Sequence, residues 1–186
     1  MSREGIYEDA EITAALDWFS EVSGNAAGFR ARIENAQSLY RQYVANTETR
    51  GKDPKLEDLG VDRVASYLAQ ADALVRDRGA YDLALSPQIV PFVKHIGSTV
   101  EVLRGVPGAV ERAQRMLRQS TVDPNSAIFE LAAAVAYSRN GFRVSFIPEA
   151  PPERRPDFRI ERDDIAANVE CKRLQKGDYE RAEGKR

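Results

Sequence analysis

Through the first two thirds of the chain, apolar residues recur at helical spacing. Between Ile6 and Val22 they stand at Ile6, Ala10, Ala14, Phe19 and Val22, a period of about 3.6 residues. Ser23-Gly24-Asn25 interrupts that pattern. A second helix is predicted from Ala26 to Val44, with Phe29, Ile33, Ala36 and Tyr40 along one side. The stretch from Asn46 to Asp58 is polar and contains Pro54, so it reads as a loop or linker. Val61 to Asp77 repeats the helical spacing at Val64, Leu68, Ala71 and Val75, and Gly79 closes it. Pro87 opens a segment through Leu103 and Pro107 another through Leu117, each proline at a first turn that does not need its missing N–H. These stripes read as core rather than as a cofactor site, because burying one face is what amphipathic helices ordinarily do.

After Ser120 the pattern changes. Asp123-Pro124 is a helix start, and the alanine-rich run that follows ends at Asn140-Gly141. Three strands are then predicted. Phe142, Val144 and Phe146 alternate with Arg143 and Ser145; Phe158 and Ile160 mark the second strand; Ile165 to Leu174 is the third. Asp163-Asp164 reads as a turn, and the polar tail from Lys176 as the start of a further helix. The expected fold class is α+β. A helical region, 1–120, for binding or oligomerisation precedes a helix-strand-strand-strand unit, 121–186.

Composition narrows the chemistry. At 186 residues, 42% hydrophobic and 30% charged, the chain is an ordinary globular one. It has no apolar run long enough to cross a bilayer and no apolar signal core at its start, so a cytoplasmic protein is expected. A single cysteine, Cys171, excludes an internal disulfide and a cysteine-built zinc site, and a single histidine, His95, excludes a paired-histidine motif. A metal here must be held by carboxylates and carbonyls, which favours magnesium, calcium or manganese. The net charge of −2 argues against coating nucleic acid through bulk charge and leaves room for a local basic groove.

Candidate chemistry gathers in RPDFRIERDDIAANVECKR, Arg155 to Arg173. Strand alternation puts Glu170 and Lys172 on one face and turns Val169 and Cys171 toward a core. A hairpin closing near Asp163-Asp164 lays Asp157 beside Glu170. Two adjacent carboxylates repel each other, and a divalent cation removes that cost. Such a site suits phosphodiester hydrolysis, with Lys172 orienting a water or stabilising charge on phosphorus. Glu130 lies in an apolar helix and needs a partner or a wet face; it could serve as a further ligand. Arg154, Arg155, Arg159 and Arg173 could contact phosphates, and a solvated face is an equally good account of each. Cys171 reads as a buried small hydrophobe, and His95 as a structural or surface residue.

Pro156-Asp157 followed by Glu170-Cys171-Lys172 resembles the PD-(D/E)xK nuclease superfamily, the restriction-endonuclease-like fold. In that family a Glu-bearing helix precedes a three-stranded meander, the Asp opens the second strand and the ExK lies on the third. Glu130, Asp157, Glu170 and Lys172 match those positions in order, over Asp123 to Leu174. The resemblance implies a Mg2+-dependent nuclease (Mn2+ serving as well) acting on DNA, with pairing into a homodimer as the way two strands are cut. It implies Asp157, Glu170 and the backbone carbonyl of Cys171 as metal ligands, with Lys172 acting on the water. The family core continues with a further helix and a fourth strand, whereas this chain ends at Arg186, so a partial core is expected. The competing expectation is a non-catalytic helical interaction module fused to a degenerate or incomplete nuclease-like domain.

Overall fold

The helix expected at the start of the chain forms as α1 (Ala10–Ser23), but its buried face is Ile12, Ala15, Leu16, Trp18, Phe19 and Val22; of the expected stripe Phe19 and Val22 are buried, Ala14 is half-buried and Ala10 is exposed. The computed structural model describes residues 9–50, 62–83, 86–118, 124–148, 150 and 152–172. Ile6, residues 51–58 of the expected linker, Asp123, Arg173 and the tail from Lys176 lie outside them. Helices α2 (Ala26–Arg50), α3 (Arg63–Arg76), α4 (Ser86–Gly97), α5 (Val100–Arg104), α6 (Ala109–Arg118) and α7 (Asn125–Arg139) follow. Strands β1 (Arg143–Phe146), β2 (Phe158–Arg162) and β3 (Ile165–Val169) then form an antiparallel sheet in the order β1-β2-β3. The described residues thus make an α+β fold of seven helices and a C-terminal meander.

Three boundaries differ from the sequence reading, each for a local reason. The polar residues 46–50 belong to α2 rather than to a linker. Polarity alone does not end a helix, and the first strong breaker in that stretch is Gly51. The segment expected to run from Pro87 to Leu103 is two helices. Between them the Thr99 hydroxyl donates to the carbonyls of His95 (2.6 Å) and Ile96 (3.0 Å), and the Ser98 hydroxyl donates to His95 (3.0 Å). Hydroxyls that take main-chain carbonyls compete with helix continuation. The third strand ends at Val169 instead of reaching Leu174.

One buried cluster runs from Ile12 on α1 through α3, α4 and α7 to Val144, Phe158 and Ile160 in the sheet. It crosses the boundary at residue 120 without a gap. Close approach helps: a Cβ on Gly97 would overlap the Glu11 carbonyl oxygen, so the end of α4 sits directly on the backbone of α1. The buried carboxylate of Asp72 is satisfied by Arg30 (2.8 Å), Arg76 (3.1 Å) and the Gln37 amide (2.9 Å), as a charge removed from water requires.

Candidate nuclease-like site

The site forms where the meander meets α6 and α7. Phe158 and Ile160 face the core, opposite Val169 and Ala167 in the β2–β3 register. Asp157 stands one residue before β2 and Glu170 one residue after β3. The Asp157 N–H donates to the Val169 carbonyl at 2.9 Å, the last main-chain rung of the ladder. The next donor, the Cys171 N–H, goes to Oδ2 of the Asp157 side chain at 2.6 Å. On the other side the Ile147 N–H donates to the Asp157 carbonyl at 3.0 Å. Asp157 is thereby fixed from both neighbouring segments, one of its bonds being charge-assisted.

Glu130, on α7, is buried beneath this point. Its Oε2 pairs with Nη2 of Arg112, and the same guanidinium nitrogen lies 3.7 Å from Oδ1 of Asp157. Arg112 reaches both because α6 starts hard against β1. The Phe146 N–H donates to the Pro107 carbonyl at 2.9 Å, and Gly108, at φ +83°, leaves no room for a Cβ, which would sit 2.7 Å from that of Phe146. Burial lowers the pKa of Arg112 from the usual arginine range, while the charges of Asp157 and Cys171 oppose that shift. Burial raises the Cys171 thiol to about 11, reinforced by the charges of Asp157 and Glu170 and opposed by Arg112.

The structure brings Glu130 and Asp157 together around Arg112 and leaves the other two candidates outside. The side chains of Glu170 and Lys172 are 53% and 79% exposed, against 6% and 19% for Glu130 and Asp157. Lys172 Nζ stands 3.9 Å from Glu170 Oε1, and both residues lie past the end of β3, outside the strand in which alternation was expected to pair them on one face. Cys171 packs partly buried against the core. Among the described residues no group of three or more His, Cys, Asp or Glu side chains is gathered to hold a metal ion. The donors at this strand end do fit a hard divalent cation in kind: carboxylates and a carbonyl oxygen.

A cleft of about 670 Å³ opens beside Asp157, lined among others by Glu111, Arg112 and Arg115 of α6, by Phe146 and by Arg155. Arg155 pairs with Glu153 at 2.9 Å and Arg159 with Glu161 at 2.8 Å, while Arg154 is exposed. Sequence reasoning missed Arg112. The apolar helix around Glu130 signalled that its carboxylate needed a partner or a wet face, and carried no sign that the partner would be an arginine of another helix. No family model, no curated protein and no solved structure matches this chain.

Proposed function

We propose that this chain carries a restriction-endonuclease-like core and is a metal-dependent nuclease hydrolysing phosphodiester bonds in DNA. One observation carries the reading: the Asp just before β2 accepts the N–H of Cys171, the middle residue of the Glu-Cys-Lys triplet, and shares Arg112 with the glutamate of α7. Asp157, Glu170 and the Cys171 carbonyl would hold Mg2+ or Mn2+. The ion, when bound, supplies a Lewis acid for the phosphoryl oxygen and acidifies a water. Lys172, exposed and beside Glu170, orients that water and offsets charge developing on phosphorus. Arg155, at the rim of the cleft, positions the DNA backbone without reading sequence. No helix among the described residues is long and apolar enough to cross a membrane. The proposed substrate is DNA in the cytoplasm, and the proposed active form is a homodimer that cuts both strands.

The test is cleavage of linear and structured DNA in Mg2+ and in Mn2+. Glu170→Ala and Lys172→Ala are each expected to lower the rate by at least about 100-fold with the fold intact. Wild-type levels of cleavage in both variants would refute the assignment. A second reading, a non-catalytic helical interaction module on a degenerate core, is favoured by the pairing of Arg112 with two of the candidate carboxylates. That reading expects no cleavage by the wild type in either metal and partner binding unchanged by Asp157→Ala.

A further inference from the structure

Arg112 has no part in the nuclease reading, although it touches two of that reading's carboxylates. It is mostly buried, its side chain 14% exposed, and a single guanidinium nitrogen faces carboxylate oxygens from two different elements. Buried carboxylates this close need a positive charge between them. We propose that Arg112 is a built-in counter-ion: it offsets one of the two carboxylate charges of Glu130 and Asp157 without metal, and competes with a divalent cation at Asp157, the ligand that the proposed metal site shares with this ion pair. This inference rests on the nuclease reading of the same site and adds a regulatory device to it. A monovalent guanidinium beside Asp157 weakens cation binding there by like-charge repulsion. Removing it leaves two carboxylates facing each other, a pocket that demands a divalent ion. Arg112 is thus a positioning residue, which sets the site's occupancy.

The experiment uses the full chain with Mn2+ as probe and thermal unfolding and calorimetric titration as readouts. Arg112→Gln is expected to unfold roughly 10 °C below wild type without metal, as loss of one partner from a buried ion pair requires in a domain of this size. Millimolar Mn2+ is expected to recover most of that shift, because a ligand that binds only the folded state stabilises by mass action. Wild type and Arg112→Lys should gain little, and the Mn2+ dissociation constant should fall at least 10-fold in Arg112→Gln. Adding Asp157→Asn to Arg112→Gln should abolish the recovery. A lowered midpoint that Mn2+ leaves unmoved would make Arg112 a structural ion pair and overturn the inference. If wild type still cleaves DNA in that case, the nuclease reading stands alone; if it neither cleaves nor binds Mn2+, both fall.

Discussion

Asp157 spends one carboxylate oxygen on the Cys171 amide and turns the other toward Arg112, so a single side chain sets the electrostatics of its neighbours. The thiol of Cys171 answers first to its own burial and then to the charge of Asp157. Its pKa is pushed up to about 11, so thiolate accumulates only as pH rises through that value. At pH 9, where a free cysteine thiol is largely ionised, the folded protein holds roughly 1% thiolate. Alkylation by iodoacetamide at pH 9 is expected to run at least tenfold slower in native than in urea-unfolded chain. Asp157→Asn should speed the native reaction by removing a negative charge, and Arg112→Gln should slow it by removing a positive one. Rates equal in native and unfolded chain would contradict the burial that causes the shift. At this scale the sequence was legible where alternation governs, as at Phe158 and Ile160 of β2, which face the core; Glu170, Cys171 and Lys172 lie past the strand on which the alternation argument placed them. Arg112 was not legible, because its partner sits on another helix and no local pattern encodes that meeting.

Helices and strands meet at two points where a side chain would intervene. Gly97 touches the main chain of α1, so Gly97→Ala is expected to cost about 2 kcal/mol or more, read as a lower urea midpoint with unchanged slope. Gly108→Ala combines an unfavourable φ with a clash against Phe146 and should both destabilise and shift α6, weakening the Arg112 contacts. An unaltered midpoint in either variant would mean that the two elements separate at no cost. Element types were readable from periodicity because burial on one face imposes it, as in α1 and in the Phe158–Ile160 alternation of β2. The boundaries were less so. Thr99 ends α4 through its hydroxyl, a choice made by hydrogen bonding and invisible to hydropathy. The main-chain pairing of β3 likewise ends where the Asp157 side chain takes the next amide.

On the scale of the whole molecule, the sequence divides at residue 120 by pattern, yet packing ignores that division. Phe158 and Ile160 of β2, Val144 of β1 and Ile128 and Leu131 of α7 belong to the same buried cluster as Trp18, Leu68 and Ile96. The sheet is only partly covered: residues 165–168 of β3 are exposed on both faces, and Arg143, Glu161 and Arg159 form a solvated ion network on β1 and β2. A three-stranded sheet and one helix bury too little apolar surface alone to offset the entropy of ordering a chain of that length. Residues 121–186 expressed without the helical region are therefore expected to lack a cooperative thermal transition and to bind a hydrophobic dye. The full chain should unfold in one step, with far-UV circular dichroism and Trp18 fluorescence coincident. The site inherits this dependence, since Arg112 comes from α6, on the other side of the pattern boundary from Glu130 and Asp157. Ala113→Asp, a charge placed in the fully buried face of α6, should accordingly abolish folding of the sheet as well as of the helices. A sheet that survives that substitution, seen as retained slow amide exchange at Ile160, would mean that the two regions are held together by contact alone and fold apart.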